Sequence, residues 1–232
     1  MKQLLLAAAL LAGCRPSDSG SQSSPSASAR TKAAAARSAA DSARIDSLLT
    51  RADAGRIQGS PSASIWLVEI SDFQCPFCKR WHDEVYPVIK RDYIDRGIVR
   101  MAYVNLPLQM HAHALPAAEA ALCAAVQNKF WPMHDQLFAT QERWAALATP
   151  GALFDSLARS VGVTAPDWRE CVRGQLMRRV VNGDLARAAA VGVRSTPVFF
   201  VGDEPIQGAA PLDTFRVVIE RARAKAAARS PN

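Results

Sequence analysis

The stretch Ile65-Trp66-Leu67-Val68-Glu69-Ile70-Ser71-Asp72-Phe73-Gln74-Cys75-Pro76-Phe77-Cys78 decides how the rest of the chain is read. Residues 65–70 are an apolar, β-branched run of strand length, broken only by Glu69. A short connection, Ser71 to Gln74, leads to Cys75. Pro76 then stands where the first turn of a helix tolerates a residue without an N–H. The helix predicted from there carries Trp81, Val85, Val88 and Ile89, with Pro87 expected to kink it. Residues 98–106 read as a second buried strand. Strand, helix and strand make the βαβ unit of a parallel sheet.

Cys75 therefore falls at a helix entrance. Its sulfur is expected to face unsatisfied backbone N–H groups and the positive end of the helix dipole. Both favour thiolate over thiol, and thiolate is the nucleophile of disulfide exchange. Cys78, one turn along, can close a disulfide and release a bound substrate. A CxxC can also be half of a zinc site, but no second CxxC or HxxxH stands at such a spacing. It can equally be a structural disulfide in a helix turn. The strand–CxxC–helix context favours redox chemistry over both.

Outward from this unit, residues 112–191 read almost wholly as helix, with breaks near Lys129, Thr149-Pro150 and Ala165-Pro166. That block is too long for one crossover, so a helical subdomain inserted into an α/β sheet is expected. Strands resume at 197–201 and 205–207. Pro211 opens a last helix with Leu212, Phe215, Ile219 and Ala222 on its buried stripe. The folded domain is expected over 61–229.

The N-terminal end reads differently. Lys2 is followed by the apolar run Leu4–Leu11, and the segment closes on Leu11-Ala12-Gly13-Cys14. This is the layout of a secretory leader over residues 1–13, too short to span a bilayer. Its end resembles the lipobox of bacterial lipoproteins. That resemblance implies cleavage before Cys14 and a lipid on its thiol, so that acyl chains hold the protein at a bilayer. An ordinary leader in which Cys14 merely follows Gly13 is the alternative. Residues 14–60 are expected to form a linker. From Arg15 to about Ala40 it has no large apolar side chain to offset its ordering entropy. A short amphipathic helix over 41–56 follows, with Asp41 as N-cap, Gly55 as stop, and Ile45, Leu48, Leu49 and Ala52 on one face. That helix either packs back on the domain, the commoner outcome, or pairs with its copy to make an oligomer.

A hydrophobic content of 49% in 232 residues describes a globular protein, not a disordered one. The net charge of +7 is spread partly over the two tails. No aromatic-interleaved basic patch argues for nucleic acid. A basic lipoprotein would favour anionic headgroups, but the charge reads first as an ordinary solvated surface.

Phe73-Gln74-Cys75-Pro76-Phe77-Cys78-Lys79, with Ser195-Thr196-Pro197-Val198-Phe199-Phe200 after the helical block, resembles the thioredoxin superfamily. The likeness is to the DsbA-like branch with an inserted helical domain, and Glu119–Ala125, Phe130-Trp131 and Met133-His134 share it. It covers roughly residues 60–228. The resemblance implies a thioredoxin-like α/β sheet and protein thiol–disulfide exchange. Cys75 resembles the attacking, solvent-facing thiol and Cys78 the buried resolving thiol. Pro197 resembles the cis-proline facing the disulfide, and Thr196 the residue before it that tunes the thiol. Glu69 resembles the buried acid that shuttles the proton of the second thiol. A carboxylate there would be costly to bury and its pKa would rise. The alternative is a Glu69 on the solvent side of an edge strand.

Cys123 and Cys171 lie in different predicted helices, 48 positions apart (171 − 123). In an exported protein they are expected to pair, as in similar members of the branch. In the chain-entropy model such a loop closure stabilises by about 4 kcal/mol. Two separate buried thiols are the alternative. Met110, His111 and His113 invite a copper reading, since thioether and imidazole suit copper. The copper carriers of this fold use a longer cysteine spacing. His82, His134, Trp81, Phe130, Trp131, Phe138 and Trp144 are taken as surface or core residues. No cofactor and no metal is expected.

The reading is an envelope enzyme at the periplasmic or extracytoplasmic face, acting on exported protein thiols through a mixed disulfide on Cys75. It is reset by a membrane or periplasmic redox partner. Disulfide formation is the favoured direction. Pro76-Phe77 lacks the histidine of the strongest oxidants, and Thr196 equally resembles reductase and isomerase members, so those are the alternatives. The rival from another class is a non-catalytic copper- or partner-binding lipoprotein.

Overall fold

A computed structural model describes residues 27–229. The leader expected over 1–13, Cys14 with the lipid expected on it, and the first part of the linker lie outside the described residues. The chain divides at Asp41 into two units. Residues 27–41 are helical, and the unit Ser42–Asn232 carries the sheet and both cysteine pairs. Among the described residues no helix is long and apolar enough to cross a membrane.

Helix α1 spans Ala27–Gly55, so it begins at Ala27 and not at Asp41. Residues 27–40 are alanine-rich, and alanine is the strongest helix former because it loses no side-chain entropy. Propensity carries the helix through a segment with no apolar stripe. Farther along, Leu48 and Ala52 are buried in the core of the helical insert, with Leu49 packed beside them. Gly55 approaches the insert so closely that a Cβ there would sit 2.8 Å from the Ala125 carbonyl oxygen. The apolar stripe of residues 45–52 thus packs on its own domain.

A five-stranded sheet follows, in the order β1-β3-β2-β4-β5. Strand β2 (Ile65–Ser71) lies parallel to β3 (Val99–Asn105) and antiparallel to β4 (Val198–Val201). Strand β5 (Glu204–Gln207) pairs antiparallel with β4 at one edge. At the other edge β1 (Ile57–Gln58) pairs antiparallel with β3; two residues carry no periodicity from which to read a strand. The crossover from β2 to β3 is α2 (Pro76–Glu84), α3 (Tyr86–Ile89) and a π-helical turn over Lys90–Ile94. The break at Val85 precedes Pro87, which has no N–H for the carbonyl four residues back.

Six helices form the insert: α4 (Ala114–Ala125), α5 (Phe130–Ala139), α6 (Gln141–Ala145), α7 (Gly151–Ser160), α8 (Ala165–Arg173) and α9 (Arg178–Ala190). A disulfide joins Cys123 in α4 to Cys171 in α8. Helix α10 (Leu212–Arg229) returns to the sheet, where Phe215 and Ile219 are fully buried. One core lies between the sheet, α2 and α10, around Trp81, Phe199 and Phe215, whose rings are 4.5–5.6 Å apart. A second fills the insert and reaches Phe73, Cys75, Cys78 and Tyr103. A third, around Ile70, Leu106, Ala188 and Val198, includes residues of the opposite sheet face and of α9.

One ion pair in this interior is itself buried. Arg56, just past α1, donates to Asp184 of α9 and to the Tyr103 carbonyl of β3. The same Asp184 oxygen accepts from the backbone N–H and side-chain amide of Asn105. Removing one partner of a buried pair costs far more than the pair contributes, because the other charge is stranded. Asp184→Ala is therefore expected to destabilise by about 3–5 kcal/mol, read as a lower urea midpoint at unchanged m. A loss below about 1 kcal/mol, the scale of an exposed pair, would show that the network does not hold these elements together.

Candidate active site

The turn between β2 and α2 is pinned from several sides. Asp72 is buried; its Oδ1 accepts from the Gln74 N–H at 2.7 Å, and its carbonyl accepts from the Cys75 N–H at 3.0 Å. Its Oδ2 accepts from the Leu108 N–H at 2.9 Å and lies 2.7 Å from His111 Nδ1. From the insert, the Gln141 amide donates to the carbonyls of Phe73, at 2.6 Å, and Cys75, at 3.0 Å. The Gln74 side-chain oxygen accepts from the His113 N–H at 2.7 Å. Cys75 occupies the N-cap of α2 in an extended conformation, with Pro76 in the first turn.

Across from it, the Thr196–Pro197 peptide is cis and both residues are buried. Cys75 Sγ lies 3.5 Å from the Thr196 carbonyl oxygen. Cys78 is fully buried behind it. Cys75 itself is only 3% exposed against 0% for Cys78, so the solvent-facing thiol expected at position 75 is nearly covered. Phe77, between the two cysteines, is 54% exposed, with the Arg80 guanidinium 5.2 Å from its ring centre.

The two thiols, both free, are driven in opposite directions. A hydrogen bond from the Cys78 thiol, with the backbone N–H groups of Cys78 and Phe77, brings Cys75 down to about 6 against the opposition of its burial. Burial, and the negative charge forming on Cys75, push Cys78 well above the ordinary thiol range. Charge collects on Cys75 alone.

Glu69 lies in the strand that leads to the pair. Strand β2 is interior, so the edge-strand alternative does not apply. Glu69 is in register with Tyr103 on β3 and Phe199 on β4, and all three are fully buried. The Ser71 hydroxyl is the hydrogen-bonding group beside the Glu69 carboxyl, and it offsets the burial of that carboxyl only in part. Desolvation accordingly raises Glu69 to about 8, so the carboxyl is protonated at neutral pH.

The structure thus brings Glu69, Cys75, Cys78, Thr196 and Pro197 to one end of the sheet. Cys123 and Cys171 stay apart from it, in the insert. Met110, His111 and His113 do not converge as a metal site would require. His111 is held by Asp72, His113 Nε2 lies 2.7 Å from the Leu147 carbonyl oxygen, and Met110 is exposed. Asp72 and Gln141 escaped the sequence reading. The Asp-x-Gln spacing of a side-chain-capped turn could have indicated Asp72. Nothing local marks Gln141, 66 residues from Cys75.

A dithiol at a helix entrance, opposite a cis-proline loop and bordered by a helical insert, defines a thiol–disulfide oxidoreductase of the thioredoxin fold. The chain belongs to the thioredoxin family, whose model matches residues 51–221, and within it is DsbA-like. Disulfide bond formation protein D of Bacillus subtilis is 29% identical over 171 residues, covering 71% of this chain and 75% of that protein. Na(+)/H(+) antiporter NhaA 3 of Salinispora tropica is 30% identical over 75% of this chain but only 26% of its own length, so that likeness is to a part. Among solved structures, oxidised BdbD of Bacillus subtilis superposes with a TM-score of 0.66 at 26% identity, covering 72% of this chain and 91% of that one. The alpha-DsbA1 of Wolbachia pipientis gives 0.66 at 23% identity, covering 75% and 93%, a likeness of fold.

The carboxyl of Glu69 sets a pH dependence with a definite sign. Between the unfolded value of 4.5 and about 8, the unfolded chain has released a proton that the folded chain keeps. Stability contributed by this group therefore falls as pH rises through that window, by at most about 1.4 kcal/mol per pH unit. Glu69→Gln, studied with Cys75 and Cys78 in the disulfide form, is expected to gain on the unsubstituted protein steadily from pH 5 to pH 8 in urea unfolding. A difference constant over that range would return Glu69 to an ordinary acidity.

Proposed function

We propose that this enzyme forms disulfides in exported proteins through a mixed disulfide on Cys75. The observation that carries the reading is the opposed acidity of the two thiols beside the cis-proline loop. In the oxidised enzyme, a substrate thiolate attacks Cys75 Sγ; the Cys75–Cys78 bond breaks and Cys78 leaves as thiolate. Glu69, protonated at neutral pH, supplies the proton that the buried Cys78 needs. The second substrate thiolate then attacks the substrate sulfur of the mixed disulfide, and Cys75 departs as a thiolate. Two electrons pass to the enzyme, and the substrate gains a disulfide. Stabilising the departing thiolate stabilises the reduced enzyme, which makes the enzyme disulfide an oxidant.

A thiol near 6 lies between the most oxidising dithiols, at about 3.5, and thioredoxin, at about 7. That favours an oxidant of intermediate strength. The relatives named for disulfide bond formation point the same way. Thr196 and Pro197 would pair their backbone with the substrate chain, and exposed Phe77 would offer it an apolar contact. A membrane or periplasmic partner would then take the two electrons from the reduced pair.

Cys78→Ser is expected to accumulate a mixed disulfide on Cys75 with a reduced cysteine peptide, while Cys75→Ser accumulates none and loses catalysed peptide oxidation. In the reduced enzyme, the rate of Cys75 alkylation should rise with pH to a midpoint near 6. An ordinary thiol midpoint of about 8.5 together with no trapped adduct would remove the catalytic reading. A reduction potential at the thioredoxin value, about −270 mV, would reverse the direction to reductase.

The Leu11-Ala12-Gly13-Cys14 end of the leader supports a lipidated Cys14 that tethers the enzyme to a bilayer of the cell envelope, on its periplasmic or extracytoplasmic face. In a bacterial host, Cys14→Ser should move the protein from the membrane to the soluble fraction. Retention at the membrane would sink the lipid anchor.

A further inference from the structure

Two histidines and an aspartate that the redox mechanism leaves unused converge where the redox helix meets the insert. His82 is on α2, four residues after Cys78, and His134 and Asp135 are adjacent on α5. Asp135 Oδ1 lies 2.8 Å from His134 Nδ1 and 3.3 Å from His82 Nε2. The three donor atoms all fall within 4.8 Å of one another.

A tetrahedral zinc-type ion, at about 2.0–2.2 Å from nitrogen and oxygen ligands, needs donors about 3.4 Å apart. The His82–Asp135 edge already has that length, and the His134–Asp135 edge needs to open by only about half an ångström. The outer contact of His82 matches as well, while His134 Nε2 is buried without a protein partner. A metal-bound histidine generally gives its other ring N–H to a carboxylate, which fixes the tautomer and turns the bare nitrogen to the ion. His82 Nδ1 lies 2.9 Å from Asp83 Oδ1, which leaves Nε2 aimed at the cluster. The other Asp83 oxygen is held by Lys79 at 2.7 Å. On the inner side, the His134 ring is packed edge-on against Phe73, Tyr103 and Phe138, so it cannot swing away. On the outer side, the Asp135 side chain is 48% exposed, which gives an ion entry and a solvent position.

We propose that His82 Nε2, His134 Nδ1 and Asp135 Oδ1 bind one divalent first-row transition ion of the zinc class, clamping α2 to α5 one turn beyond the redox pair. Two imidazoles and one carboxylate are the donor set that such ions prefer over calcium or magnesium. The site departs from the expectation of a metal-free protein. It arises because the topology lays α5 of the insert along α2. It is independent of the redox reading, since neither thiol takes part.

The test uses the full domain stripped with chelator and held in the Cys75–Cys78 disulfide form, so that no thiol competes. Zinc added in a calorimeter is expected to bind one ion per chain with micromolar or tighter affinity. Cobalt is expected to develop the visible absorption of a low-symmetry site. His82→Gln and Asp135→Asn should each weaken binding at least tenfold. Asp83→Asn, which removes only the outer contact, should weaken it about 10–100-fold. Circular dichroism checks that each variant is folded. Zinc X-ray absorption of the unsubstituted protein, which needs no variant, should show two imidazoles in the first shell. No binding at millimolar zinc, binding undiminished in both His82→Gln and Asp135→Asn, or a first shell without imidazole would each overturn the proposal. The three groups would then be a hydrogen-bonded cluster and nothing more.

Discussion

The constraint on which the rest of this structure depends is that one sulfur must stay at the open end of a helix while its partner is dry. Cys75 caps α2 and Cys78 is one turn inside it. A hydrogen bond from one thiol and two backbone N–H groups hold negative charge on Cys75. The same charge, together with burial, denies ionisation to Cys78. The turn from β2 must not drift if this asymmetry is to persist. Asp72 and Gln141 fix it, one through its own loop and the other from the insert. The insert is therefore more than a cover over the sheet. It supplies one of the hydrogen-bonding groups that hold the reactive cysteine in place.

Around Glu69, the interior is unusual for a sheet core. Glu69, Ser71 and Tyr103 bring four oxygens into a fully buried region that offers them few protein partners. Such groups are costly in a core whose only task is packing. A carboxyl kept protonated by desolvation is tolerable there, and under the proposed function it would donate the proton that Cys78 needs. Stability given up at Glu69 would then match a need of the proposed chemistry. The buried Arg56–Asp184–Asn105 network is of another kind. It joins the chain just past α1, α9 and the end of β3, far in sequence from one another, and its donors and acceptors answer each other.

Much of this is legible in the sequence alone. The apolar run 65–70, the proline after Cys75 and the second run at 98–106 carry the βαβ unit, because a buried strand and a helix entrance leave strong local marks. The observed strands Ile65–Ser71 and Val99–Asn105 lie within a residue of that reading. Glu69 was visible because a charged residue inside an apolar run is conspicuous. Less local features leave weaker marks. Helix α1 starts earlier than its amphipathic stripe, since alanine forms helix without needing a face to bury. The strand Ile57–Gln58 is too short to show a period.

What the sequence by itself determined is the chemistry: two cysteines one helical turn apart at a helix entrance, a carboxyl in the strand before them, and a proline opening a later strand. These are properties of neighbours along the chain, and neighbouring residues impose local conformation whatever the rest of the molecule does. Tertiary structure alone decided which distant groups meet. Gln141 reaches Cys75 across 66 residues, Thr196 across 121, and Asp135 reaches His82 across 53. Such meetings depend on how the insert is laid against the sheet. That is settled by packing summed over many side chains, of which no short stretch carries a readable share.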